Sequence, residues 1–354
     1  MNESTLDNDR LTLPAEWETQ QAVQLTWPHE DTDWKPILKE ITDTYIQIAL
    51  EIARHEDVII VSPCTDDAKK AIYPKATIDQ WHNIYTLECD TNDTWARDHA
   101  FISLVGDDHN VLLDFRFNGW GDKFAADKDN AINRHLYQAG MIEGKYVDHL
   151  DFVLEGGSIE SDGRGTVFTT TNCLMAPSRN QPLSKDDIEE RLKQMLHAKR
   201  IMWIDHGNLT GDDTDGHIDT MVRTAPDDTL LYIGCDDTAD EQYEELTLME
   251  EQIKTFKTLE GHPYRLIKLP MPRPIYNDGE RLPATYANFL VINGAVLYPT
   301  YNQPDLDSKA ESIISTAFPD REMIGIDCRN IIIQHGSLHC CTMQYPEKRN
   351  NNRI

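Results

Sequence analysis

Apolar positions along the chain fall into a recurring order, a stretch with helical spacing followed by a short apolar run. Between residues 36 and 55 they lie at Ile37/Leu38, Ile41, Tyr45, Ile48/Ala49 and Ile52, one face of a helix. Val58-Ile59-Ile60-Val61 then reads as a buried strand. The same order returns four times: 128–138 with Phe152-Val153-Leu154, 185–197 with 201–204, 240–259 with 264–269, and 308–316 with 323–326. Further strands are expected at 165–171 and 229–233. A hairpin over 288–301 should turn at Asn293-Gly294, since Asn-Gly suits a two-residue turn. The helices start near 36, 128, 185, 240 and 308, an even enough spacing to predict five units in a closed or stacked α/β array. No Pro/Gly/Ser-rich linker divides them, so residues 1–354 read as one domain.

Each unit is followed by one chemically dense segment. These are Asn92-Asp93-Thr94-Trp95-Ala96-Arg97-Asp98, Glu155-Gly156-Gly157-Ser158, the stretch 211–219 ending in Gly216-His217-Ile218-Asp219, the stretch 281–289, and Gln334-His335-Gly336-Ser337-Leu338-His339-Cys340-Cys341-Thr342. The last follows Ile331-Ile332-Ile333, which reads as a strand. Alone, its two thiols fit a buried strand end as well as a nucleophile. In a ring of repeats, however, equivalent segments point to one axis, and Asp98, Glu155, His217, Asp219 and Cys340 would share a central pocket.

Charge narrows the partners. There are 33 Lys+Arg against 61 Asp+Glu, a formal net charge of −28. Nucleic acid and anionic membrane surfaces would be repelled, whereas a cationic small molecule would be attracted. No run approaches the roughly 18 apolar residues of a spanning helix, and residues 1–14 lack the apolar centre of a signal peptide. Seven cysteines at irregular spacing suit a reduced, cytoplasmic protein. A calcium loop over Asp212-Asp213-Thr214-Asp215-Gly216 fails, because Gly211 and Val222 stand where the first and last ligands belong. A zinc site on His335, His339 and Cys340 lacks a fourth ligand at usual spacing. Neither a metal nor a cofactor is expected.

Several carboxylates around a thiol oppose acyl transfer, since they would repel an oxyanion. They suit an electrophile that is itself a cation. A guanidinium offers five N–H donors that carboxylates can clamp, and its charge favours the thiolate. Attack at its carbon, loss of ammonia and hydrolysis of the S-amidino intermediate amount to deimination.

The segments Trp95-Ala96-Arg97-Asp98, Leu154-Glu155-Gly156-Gly157-Ser158-Ile159-Glu160, Gly216-His217-Ile218-Asp219 and His335-Gly336-Ser337-Leu338-His339-Cys340 resemble motifs of the guanidino-group-modifying enzymes. More closely they resemble the agmatine deiminase/bacterial peptidylarginine deiminase family, over residues 17–344 and including Phe117-Asn118-Gly119-Trp120-Gly121 and Arg281-Leu282-Pro283-Ala284-Thr285-Tyr286. The resemblance implies a five-bladed α/β propeller, the pentein fold, with pseudo-five-fold repeats around a central site. It implies Cys340 as nucleophile, His217 as acid/base, Asp98 and Asp219 as guanidinium clamps, and Glu155 as the orienter of His217. Trp95, Trp120 and Asn118 would contact substrate, and Asp213 or Asp212 would meet a distal ammonium. Cys341 should face packing. The expected activity is deimination of agmatine to N-carbamoylputrescine. A deiminase of free or peptide-terminal arginine is the alternative, which would need an arginine for the substrate carboxylate (Arg116, Arg223 or Arg281). An amidinotransferase and an idle binding protein rank below these. A homodimer is left open.

Overall fold

Gln20–Thr26 is the strand on which the fold closes. In the computed structural model, which describes residues 11–349, it pairs antiparallel with Thr342–Pro346 near the other end of the chain. Its other edge pairs parallel with Asp57–Ser62, which pairs parallel with Ile84–Glu88. Four three-stranded sheets repeat the theme. They are formed by Ile102–Leu104, Val111–Arg116 and Lys145–Val153; by Ile159–Ser161, Thr166–Thr170 and Arg200–Ile204; by Val222–Ala225, Thr229–Ile233 and Arg265–Leu269; and by Leu290–Ile292, Ala295–Thr300 and Glu322–Asp327. In each the first two strands are antiparallel and the third runs parallel to the second.

A parallel neighbour needs a crossover, and one amphipathic helix supplies it in every unit. These are Leu38–Ile52, Asp129–Gln138, Lys185–Met195, Tyr243–Ile253 and Pro304–Ser315, the five helices that the apolar spacing predicts. Leu38–Ile52 buries Ile41, Tyr45, Ile48, Ala49 and Ile52 on one face, each side chain stabilising the fold by about 1.5–3 kcal/mol where it is large and fully covered. The predicted hairpin is present, with Ile292 opposite Ala295 and Gly294 at φ +71°.

Three expectations change. The strand expected at 152–154 begins at Lys145, because its first seven residues form a partly exposed edge whose polar positions mask the pattern. The strands at 84–88, 102–104, 111–116, 159–161 and 222–225 fall between the units read from the sequence, and those at 20–26 and 342–346 lie before the first and after the last. Ile331–Gln334 is a 3-10 helix and not a strand. Its apolar run buries Ile331 and Ile332 by packing, and His335 ends it in the left-handed region at φ +66°.

The repeat positions the chemistry. One-turn helices stand immediately before the first strands of the sheets: Ala96–His99, Gly156–Ser158, Ile218–Thr220 and His339–Cys341. The remaining first strand, Leu290–Ile292, is preceded by the segment carrying Asn288. No described helix is long and apolar enough to cross a membrane.

Candidate active site

The short turns before the strands meet at a common centre. Asp98 accepts hydrogen bonds from Gly157 N–H (3.0 Å) and from the Trp120 indole N–H (3.0 Å). Its Oδ1 lies 3.6 Å from His217 Nδ1, and His217 Nε2 lies 3.8 Å from Glu155 Oε2. Gly157 makes this convergence possible. A Cβ there would sit 2.6 Å from His217 Nδ1, 2.9 Å from Asp98 Oδ1 and 3.2 Å from Asp219 Oδ2, so any larger residue would push the three groups apart. Cys340 Sγ completes the cluster, 3.8 Å from Asp219 Oδ2 and 3.4 Å from Asn288 Oδ1. Glu155, His217 and Asp219 are each 0% exposed.

Above the sulfur opens a cavity of about 210 Å³, lined by Cys340, Asp98, Trp95, Trp120, Phe124, Asp33, Asp93, Asp213, Thr214 and residues 333–336. Gly336 lets the chain pass flat against the Trp95 indole, since a Cβ there would come within 2.2 Å of Cζ3. Trp120 is left-handed at φ +57°, between Gly119 at +64° and Gly121 at +89°. Such a conformation costs a bulky residue roughly 1–2 kcal/mol. The hydrogen bond to Asp98 and edge contacts with Phe117 and Phe124 offset it.

Burial in a crowd of carboxylates sets the ionisation. Burial pushes the Cys340 thiol well up, and the negative charges of Asp219 and Asp98 push it further. Asp98 is pushed up to about 6 by burial, with Asp219 and Glu155 adding to this against the pull of His217. His217 moves the other way. Burial opposes its charge, yet Asp98 and neighbouring groups including Glu155 hold it well above the ordinary imidazole range. Glu155 and Asp219 stay below the usual carboxylate range despite burial, Glu155 through His217 and Arg179, Asp219 through His339. The Cys340 thiol is therefore neutral and faces excess negative charge, a setting that a bound cation would reverse.

The profile of the Porphyromonas-type peptidyl-arginine deiminase family matches residues 12–346. The chain belongs to that family. A provisionally named agmatine deiminase of Marinomonas sp. (strain MWYL1) is 33% identical, with 96% of this chain and 95% of that protein covered. Among solved structures, a Porphyromonas gingivalis protein with a provisional arginine deiminase name is 49% identical, covering 95% of this chain and 98% of its own at a TM-score of 0.89. A cysteine-to-serine variant of C. jejuni agmatine deiminase with substrate bound is 36% identical, covering 98% and 99%, at a TM-score of 0.88.

For this family member the structure brings Cys340, His217, Glu155, Asp98 and Asp219 together, and sets Trp95, Trp120 and Asp213 in the cavity wall. Asn118 is a correction. Its Oδ1 accepts from Gly121 N–H (2.9 Å) and its Nδ2 donates to Ser178 O (2.7 Å), so it fastens the loop behind Trp120 and does not line the cavity. Asp212 is likewise spent on its own loop, accepting from Thr214 and Gly216. Cys341 lies in the one-turn helix with Cys340, fully buried, its thiol pushed up to about 12 by burial although Tyr45 offsets part of the shift. Arg223 is held by Glu16 and Glu160, and Arg281 by Asp240 and Glu241, while Arg116 is exposed and outside the cavity lining.

Sequence reasoning missed Asn288, Asp33, Asp93 and Arg179. Asn288 sits in the dense segment 281–289 but carries no charge to mark it. Arg179 clasps Glu155 with Nε at 2.9 and 3.2 Å from its two oxygens, from a loop with no recognisable pattern. Among the described residues, two groups of donors lie close enough to hold a metal ion, Glu155/Cys173/His217 and Glu16/Glu160/His339. In both, an arginine already neutralises the carboxylates, Arg179 in the first and Arg223 in the second. His335, considered for zinc, instead turns its Nδ1 to Gly211 O at 2.7 Å.

Proposed function

We propose that this protein deiminates agmatine. The observation that carries the reading is the cavity over Cys340, whose lining among the described residues includes four aspartates (Asp33, Asp93, Asp98, Asp213) and no lysine or arginine. A substrate with a cation at each end suits that wall, whereas an α-carboxylate would face repulsion. Asp98 and Asp219 clamp the guanidinium, Trp95 and Trp120 flank its methylene chain, and Asp213 with Asp93 meets the distal ammonium.

The chemistry uses the groups at the floor. The guanidinium charge offsets the carboxylates that keep Cys340 protonated, so the thiolate forms as substrate binds. Sulfur attacks the guanidinium carbon, and His217 protonates the departing nitrogen, which leaves as ammonia. The C–N bond breaks as the S-amidino bond is made. Water then attacks the same carbon, His217 takes its proton, and the C–S bond breaks to release N-carbamoylputrescine and restore the thiol. Glu155, fixed by Arg179, orients His217 throughout.

An arginine substrate is the second reading, favoured by the family's name and by that of the Porphyromonas gingivalis relative. Ammonia release from agmatine, free arginine and a peptide ending in arginine separates the two. Agmatine should turn over with the highest kcat/KM, and Cys340→Ala should abolish release. Turnover of an arginine substrate with agmatine inert would overturn the agmatine reading.

A further inference from the structure

A second, separate cavity of about 100 Å³ borders the far side of the catalytic layer. Glu16, Arg97, Glu160 and His339 line it, and it shares no lining residue with the cavity over Cys340. Glu16 precedes the first strand, more than 300 residues from Cys340 in sequence, and nothing about the chemistry proposed above requires it. Yet it is two hydrogen bonds removed from the clamp. His339 Nδ1 lies 2.7 Å from Asp219 Oδ2, and His339 Nε2 lies 2.8 Å from Glu16 Oε2.

Glu16 is itself immobile. Its Oε1 accepts the Val291 N–H at 2.7 Å, and its Oε2 pairs with Arg223. Arg223 in turn is fixed by Glu160 and by the carbonyls of Ala287 and Phe289, with its guanidinium 4.5 Å from the Phe289 ring centre. At the other end of the relay, Asp219 has little else to hold it. Its Oδ1 is buried with no hydrogen-bond partner, so the His339 contact is what fixes the carboxylate plane. The His339 backbone N–H also donates to Asn288 Oδ1 (2.9 Å), the oxygen that meets Cys340 Sγ. A tilt of His339 would therefore disturb clamp and nucleophile together.

We infer that Glu16 is a positioning residue for the guanidinium clamp, acting through His339 on Asp219, with Arg223 as its anchor. The inference rests on the functional reading above. An arrangement of this kind supplies rigidity that the clamp cannot provide for itself, because an unfixed carboxylate loses much of its advantage over water. A merely structural ion pair would use the same residues, and coupling to Asp219 is what separates the two.

The test is a double-mutant cycle on equilibrium binding of agmatine, measured by calorimetry in the Cys340→Ala protein, where substrate is not consumed. Glu16→Gln keeps the acceptor for Val291 N–H and removes the charge. It should weaken agmatine binding about tenfold when Asp219 is present, and by less than about twofold in the Asp219→Asn background. Thermal unfolding of each variant identifies loss of fold, and His339→Gln takes the place of Glu16→Gln in the cycle if the latter does not fold. Unchanged binding in Glu16→Gln, or an equal loss in both backgrounds, would overturn the positioning role while leaving the functional reading intact. A Cys340→Ala protein that binds agmatine poorly, beside a parent that releases no ammonia from it, would overturn both.

Discussion

Asp98 takes three contacts on one carboxylate: a backbone N–H, an indole N–H and an imidazole nitrogen. Burial and two neighbouring acids nevertheless raise it to about 6. Its clamp is therefore present above that pH and is lost as the carboxyl protonates below it. On the free enzyme, kcat/KM should fall as pH is lowered through about 6, and Asp98→Asn should cost about 2–5 kcal/mol of transition-state stabilisation. A pH–rate profile and the variant's kcat/KM check both, and a variant at the parental rate would remove Asp98 from the clamp. Residues of this kind were legible in the sequence because their chemistry is written in charge and in motif. Asn288 was not, since a neutral amide gains its meaning only from standing 3.4 Å from a thiol. Asn118 was legible as part of a motif but misassigned, because a motif marks a loop without saying which side chain faces the substrate.

At the scale of elements, the site is made by turns of three or four residues that precede strands, and the glycines in them are there for space. Gly157→Ala would drive a methyl group into His217, Asp98 and Asp219 at once. The expected outcome is a fall in kcat of at least about tenfold, with a stability loss of roughly 1–3 kcal/mol, read by steady-state kinetics and thermal unfolding. Parental activity would mean that the three groups need not converge. The five crossover helices were readable because each carries its own periodic apolar stripe. The short first strands 102–104, 159–161 and 222–225 were harder, as was the turn at 331–334. Three isoleucines have no period of their own, and their conformation is decided by what they pack against.

Across the whole molecule, the ring closes where strand 342–346 meets strand 20–26, so Cys340 is mounted on the closing seam. The closure left little trace in the sequence, since neither strand shows its partner. The acidic balance did show, and part of it is buried. Burial raises Asp93 and Asp98 to about 6, and Glu56 and Asp129 to about 7. These carboxyls bind protons more tightly folded than unfolded, where values lie near about 4. Stability should thus fall as pH rises from about 4 to 7, while the depressed Glu155 and Asp219 contribute stability that is lost only below about 4.5. Thermal unfolding should give a Tm several degrees higher at about pH 5.5 than at about pH 8. A Tm that climbs toward alkaline pH would contradict this account of the buried acids.

The central claim is a covalent bond between Cys340 and the guanidinium carbon. Acid quenching during agmatine turnover, followed by proteolysis and mass spectrometry, tests it most directly. The peptide carrying Cys340 and Cys341 should gain the mass of agmatine less ammonia, an amidino group that still carries the aminobutyl chain, located by fragmentation on Cys340 and missing from Cys340→Ala. An adduct on Cys341, or turnover persisting in Cys340→Ala, would contradict it.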